Sequence, residues 1–193
     1  MEQSKNIFDF NEQAEKGKIL LSEPFMEDPN FKRTVVLLCE HNEEGSFGFI
    51  LNKKTELFLG DAIPELKNFK ASLYYGGPVE PQSLHYVHQS GDVIPESIAI
   101  GDGIFWGGSF ETLVILLMNN EIDPKTIRFF IGYSGWDPEQ IAEELKQNSW
   151  FVTSSDKSDI FHEDDEHLWK KILNELGGDF KSIANYPENP NLN

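Results

Sequence analysis

The 193-residue chain is predicted to fold as a single α+β domain around a mixed, largely antiparallel sheet. Three observations lead there. Strand-like segments come mostly first and helical patterns mostly later, with too little regular alternation for a doubly wound fold. Thr34 to Asn52 reads as a β-hairpin: two apolar runs joined by the four residues Asn42 to Gly45. The composition, 39% apolar and 25% charged, is that of a globular domain long enough to bury a core.

The elements follow in order. Residues 1–17 read as an arm, 18–178 as one compact domain and 179–193 as a tail rich in proline and asparagine. Lys18 to Pro24 is a short strand stopped by proline. The next segment turns about Asp28-Pro29. Thr34 to Leu38 is β-branched or aliphatic on both alternating faces, which suits a strand covered on both sides. Ser46 to Asn52 returns antiparallel to it. Gly60 to Leu66 is a short helix or turn. Ser72 to Pro81 is a strand running into Gly76-Gly77-Pro78, and Ser83 to Gln89 is another short strand. Ser97 to Gly108 gives one or two more, broken at Gly101-Asp102-Gly103.

Ser109 caps a helix whose apolar face is Phe110, Leu113, Val114 and Leu117. Ile127 to Tyr133 is a strand. Asp137 is the expected N-cap of the next helix, with Pro138 at its first position, Gln140 completing a capping box, and an end near Gln147. Ser149 to Ser155 is the final strand. An amphipathic helix from Asp164 to about Leu176, with Leu168, Ile172, Leu173 and Leu176 inward, stops at Gly177-Gly178.

Composition narrows the function. The formal charge is −17, with 16 basic against 33 acidic residues, and the basic ones form no stripe. DNA affinity comes largely from neutralising phosphates, so direct nucleic-acid binding is disfavoured. No apolar run reaches membrane-span length. The polar start has no apolar core of a secretion signal, and one cysteine excludes an intrachain disulfide framework. The cytoplasm is the expected location.

Candidate chemistry is sparse. Ser134 sits where a strand meets a helix, the setting of a hydrolase nucleophile, yet Trp136 occupies the position the elbow motif gives to glycine. No histidine is an obvious partner. A helix N-terminus at Asp137 could hold an anion, although that carboxylate opposes it. Cys39 and His41 share a strand face at about 6–7 Å, too far for a direct bond without a bulge. Burial of Cys39 as a small apolar residue is favoured over a reactive thiol. His85 and His88 fall on opposite strand faces. The acidic run from His162 to His167 reads as a solvated helix start. No cofactor or metal is expected. Gly76-Gly77-Pro78 leaves bare backbone that a ligand or another chain can approach, or simply makes a tight strand exit.

The ordered set of motifs resembles the YqgE/AlgH family of bacterial proteins. It comprises Asp28-Pro29, Phe31 and Arg33 to Val36; then Cys39-Glu40-His41-Asn42 with Gly45, Gly48 and Asn52. After these come Gly76-Gly77-Pro78-Val79, Gly132-Tyr133-Ser134-Gly135-Trp136, and Asn148 with Trp150. Together they span about residues 17–178. The resemblance implies an AlgH-like fold with a barrel-like β portion and flanking helices, in a bacterial cytosolic protein. Members carry the label of transcriptional regulator, with no reaction established for the family. Where the family follows its asparagine with Arg-Pro or Lys-Pro, this chain has Asn52-Lys53-Lys54, which implies a looser loop.

Two functional classes follow. The first is a non-enzymatic binding or regulatory protein, holding a small molecule or protein partner. The second is an enzyme using Cys39 with His41 for acyl transfer or thiol redox chemistry. In the favoured first reading Ser134 is no nucleophile, the Gly132 to Trp136 segment is a shaped turn, and three segments line one crevice. Its candidate residues are Cys39, His41, Asn42 and Asn52 from the first hairpin, Gly76, Gly77 and Pro78 from the glycine loop, and Tyr133, Ser134 and Trp136.

Overall fold

The computed structural model describes residues 12–161 and 165–187. Ten strands form one connected sheet: β1 (Lys18–Ser22), β2 (Val35–Asn42), β3 (Gly45–Ile50), β4 (Lys54–Phe58), β5 (Ser72–Tyr75), β6 (Val79–His88), β7 (Ile98–Gly101), β8 (Ile104–Trp106), β9 (Ile127–Trp136) and β10 (Trp150–Ser154). The helices are α1 (Leu59–Ala62), α2 (Phe110–Met118), α3 (Gln140–Lys146), α4 (Lys157–Ile160), α5 (Leu168–Leu176) and α6 (Phe180–Ile183). The main path runs β10-β1-β2-β3-β9-β6-β8-β7, with β5 also beside β9 and β4 beside β5. The β5–β9 pair is parallel and the other ladders are antiparallel, so the sheet is mixed and largely antiparallel as expected.

β9 is the hub. One edge pairs with β6. The other is shared: β5 takes Phe129 to Ile131 and β3 takes Ser134 to Trp136. At the fork, the Gly76 carbonyl accepts from the Ile50 N–H at 2.9 Å and from the Ser134 hydroxyl at 3.0 Å. The Gly76 N–H donates to Ile131. A Cβ on Gly76 would lie 2.3 Å from the Gly132 carbonyl, so only glycine fits this crossing. Gly132 itself has φ +67°, where the β6–β9 register shifts. The Gly132 to Trp136 segment is therefore not a turn: Gly132 absorbs the irregularity and the strand continues to Trp136.

Helices cover the sheet on both faces. Ile19, Leu21, Val35, Leu37, Cys39 and Phe49 pack toward α5 and α6. Leu20, Val36, Leu38 and Ile50 face the other way, with Ile141 of α3, Trp136 and Trp150. β2 is thus covered on both sides, which is why its sequence shows no polar alternation. A third cluster joins α1 and α2 to β5, β6 and β9 through Leu59, Leu73, Leu113, Leu117 and Phe129. The Ser109 hydroxyl caps α2 by accepting the Thr112 N–H.

The sheet curls without closing. Asp102 and Gly103 link β7 to β8 in a two-residue turn. That hairpin comes beside β1, where a Cβ at Gly17 would lie 3.3 Å from the Ile100 carbonyl. Among the described residues no ladder joins β7 or β8 to β1 or β10.

Three local details differ from the sequence reading. α3 begins at Gln140 because Glu139, at φ +67°, interrupts the helix; the Gln140 side chain still accepts the Asp137 N–H, half of the expected capping box. β4 went unforeseen, being charged, exposed and irregularly paired with β5 alone. Phe180, Ile183 and Ala184 pack into the main core, beyond the expected domain edge at Gly178. Asp164, the expected start of the last helix, lies outside the described residues.

A buried charged group ties the turn before α5 to the hub. Arg128, 4% exposed, ion-pairs with Asp165 and donates to the Ile160 carbonyl. Its guanidinium carbon sits 3.9 Å from the Tyr74 ring centroid, and the Tyr74 hydroxyl donates to Asp165 at 2.7 Å. Burial pushes the Tyr74 phenol up to about 12. Asp165→Asn leaves a buried guanidinium without its counter-ion. The expected loss is about 3 kcal/mol of stability, read as a lower urea midpoint at unchanged slope.

His88 is fully buried. Its Nδ1 accepts from the Ser90 N–H, so Nε2 carries the proton and donates to Gly107. Burial lowers its pKa, and that of His85. The unfolded chain thus takes up protons below about pH 6.5 that these rings refuse. Unfolding free energy is expected to fall as pH drops from 7 toward 5. His88→Gln, whatever its absolute stability, should show a smaller fall in urea titrations at the two pH values.

Candidate functional site

The β2–β3 hairpin carries a bulge at Cys39: Leu38 pairs with Gly48, but Glu40 already pairs with Phe47. The Gly17 N–H reaches the Leu38 carbonyl at 2.8 Å. Beyond the bulge His41 faces Ser46 across the ladder, with Nδ1 and Oγ 2.6 Å apart. The hairpin tip is held by Asn42, whose side-chain oxygen accepts the Glu44 N–H. On the far side β3 pairs with the end of β9, and Tyr133 of β9 pairs with Val79 of β6.

This register gathers three separated sequence segments around one cleft of about 460 Å³. Glu40, Asn42 and Glu44 come from the first, Val79 from the second, and Tyr133, Gly135 and Trp136 from the third. Gly45, Ser46, Phe47, Asp137 and Gln140 complete the lining. Phe47 meets the Tyr133 and Trp106 rings edge-on at 5.9 and 4.6 Å between centroids. Trp136 is fixed from behind. Glu144 accepts its indole N–H at 3.1 Å and that of Trp150 at 2.6 Å, while Phe31 packs on both rings.

Of the ten candidate residues, Asn42, Tyr133 and Trp136 line this cleft. The others lie elsewhere. Cys39 is fully buried in the core; burial, then the charge of Glu40, pushes its thiol well above the usual range. The bulge that could have turned His41 toward it is present, yet the imidazole bonds Ser46 instead. Ser134 is fully buried at the Gly76 fork. Gly76 and Gly77 are buried where β5 leaves β9, and Pro78 is exposed. Asn52 is a clamp, accepting from the Val35 N–H and donating to the Arg33 carbonyl. Lys53 donates to the carbonyls of Pro29 and Asn30, so the loop expected to be loose is pinned.

Of the lining residues outside the ten candidates, Glu40, Val79 and Gly135 lie within the three motifs, Glu44, Gly45, Ser46 and Phe47 arrive with the β2–β3 register, and Asp137 and Gln140 with the approach to α3. His85 packs by Phe49 and His88 by Tyr86, from opposite faces of β6. Among the described residues no group of three His, Cys, Asp or Glu is placed to hold a metal. The acidic run from His162 lies partly outside them. Asp137 and Glu139 at the start of α3 oppose an anion there. A second pocket, of about 390 Å³, lies by Ser72, Tyr74 and Arg128, whose charged group is already held by Asp165.

Cys39 in the folded protein should resist alkylation from pH 5 to 10 and react only on unfolding, a contrast read by mass spectrometry across a urea series. Ser134→Ala should fold and cost about 1 kcal/mol, the loss of one buried hydrogen bond.

Comparison with known proteins agrees with this architecture. The family model DUF179, described as AlgH-like, matches residues 19–181. A UPF0301 protein from Cytophaga hutchinsonii is 42% identical over 92% of this chain and 98% of its own length. One from Chlorobium limicola is 42% identical over 92% and 95%. A crystal structure from Corynebacterium diphtheriae superposes with a TM-score of 0.76 at 23% identity, covering 95% of this chain and 99% of that one. The solution structure of the AlgH protein from Pseudomonas aeruginosa gives 0.71 at 25%, covering 97% and 98%. With the family pattern matched across nearly all of the folded chain, the protein belongs to the AlgH-like family of UPF0301 proteins.

Proposed function

We propose that the protein is a non-enzymatic binding protein of the bacterial cytosol that holds a small molecule or a segment of a partner protein in the Glu40–Tyr133–Trp136 cleft. The observation that carries this reading is the convergence of three separated motifs on one concavity of ligand-pocket size. Its walls stand on paired strands and on an indole fixed by Glu144, which suits recognition without rearrangement.

The alternative, thiol chemistry by Cys39 with His41, is opposed by the burial and raised pKa of the thiol and by the Ser46 partner of His41. The regulatory label that goes with the family resemblance is best read as action through a ligand or protein partner. A chain of charge −17 is poorly suited to phosphate contacts.

The test uses a metabolite extract from bacterial cells, incubated with the protein and filtered. Mass spectrometry should find compounds retained unchanged, and Gly135→Leu should abolish retention. Gly135 is an exposed floor position where a Cβ would make only ordinary contacts, 3.4 Å from the Tyr133 ring and 3.7 Å from Val79. Conversion of any compound beyond the amount of protein present would sink the non-enzymatic reading.

A further inference from the structure

We infer that the cleft takes a flexible organic cation: a primary ammonium or guanidinium on an alkyl stem. This rests on the binding reading above and names the chemistry of its ligand.

Glu40, Glu44 and Asp137 stand around the cleft, and no lysine or arginine lines it among the described residues. Among the described residues none of the three carboxylates has an ion pair, although acids elsewhere, buried and exposed alike, are matched. Asp165 has Arg128, Asp159 has Lys171, and Glu144 has two indoles. Unpaired acids are common on a chain of charge −17, but these three border a concavity with an aromatic wall. Phe47, Tyr133 and Val79 supply apolar surface for the stem, and the rings attract a cation through their quadrupoles.

The same lining selects against other ligand classes. An anion would meet three like charges and no counter-charge. A neutral apolar ligand would leave the carboxylates without a partner. A cation with N–H donors can use the carboxylates, since the Ser46 hydroxyl already meets His41 and the Asn42 and Gln140 side-chain oxygens already accept backbone N–H groups. Two sources present this chemistry: a free polyamine, or a lysine or arginine side chain of a partner protein.

The test titrates the intact chain with spermidine, agmatine and a capped tripeptide centred on arginine, following backbone amide shifts by NMR. Hexanediol and succinate are the neutral and anionic controls. Saturable shifts confined to Glu40, Phe47, Tyr133 and Gly135 are expected with the cations and not with the controls. Glu40→Gln and Asp137→Asn should each weaken binding on the order of fivefold at low salt, as loss of one nearby charge predicts, and added salt should weaken it further.

Tighter binding of spermidine or agmatine identifies the free amine as source; tighter binding of the peptide identifies a partner's side chain. Shifts scattered over the acidic surface without saturation, or binding indifferent to both neutralising variants, would overturn the inference. If the cleft instead retains neutral or anionic metabolites that Gly135→Leu expels, the cation inference fails and the binding reading stands. If Gly135→Leu leaves all retention intact, the binding reading fails as well.

Discussion

One carbonyl oxygen, that of Gly76, organises this domain. It accepts from Ile50 of β3 and from Ser134 of β9, so it marks where β5 stops being the neighbour of β9 and β3 takes over. A ten-residue strand can have two successive partners on one edge only if the handover leaves no buried N–H or carbonyl unmatched. The Ser134 hydroxyl supplies a donor at that handover. Strand geometry therefore accounts for the serine in Gly132-Tyr133-Ser134-Gly135, a setting that elsewhere would suggest a nucleophile.

The cleft depends on this handover. With β3 held against the last three residues of β9, Phe47 lies opposite Gly135 and Ser46 opposite Trp136. The bulge at Cys39 then sets Glu40 opposite Phe47. A one-residue slip in either ladder would turn these side chains to the other face. The family motifs are thus divided between roles: some residues line the cleft, while Asn52, Gly76 and Ser134 hold the backbone that presents it.

Much of this was legible in the sequence. Apolar runs located the hairpin, the central strand and α2, because burial and periodicity are local signals. The doubly covered face of β2 was visible as a missing polar alternation. Other features depend on pairing between distant segments. β4 lacks an apolar pattern because its surroundings are solvent and one neighbour. The extension of β9 past Gly132 was hidden because Gly-Tyr-Ser-Gly reads locally as a turn, and only the β3 edge converts it into strand. The convergence of three segments could be anticipated, but the lining residues Ser46, Phe47 and Gly135 required the register. Cys39 and His41, close in sequence, proved to belong to core and surface respectively.

The open curl of the sheet gives the domain an order of disassembly. The β7–β8 hairpin is joined to the rest of the sheet through a short ladder in which Val87 and His88 meet Trp106 and Phe105. Among the described residues it has no ladder to β1, and it is held there by packing alone: Ile100 and Ile104 sit in the main core and Trp106 lies against Phe47. β9 has three partners and cannot be released until both wings have parted. The β9 hub, laddered on both edges, is expected to be among the last regions to exchange its amide hydrogens with solvent, whereas the exposed β2–β3 tip at the mouth of the cleft is expected to exchange early.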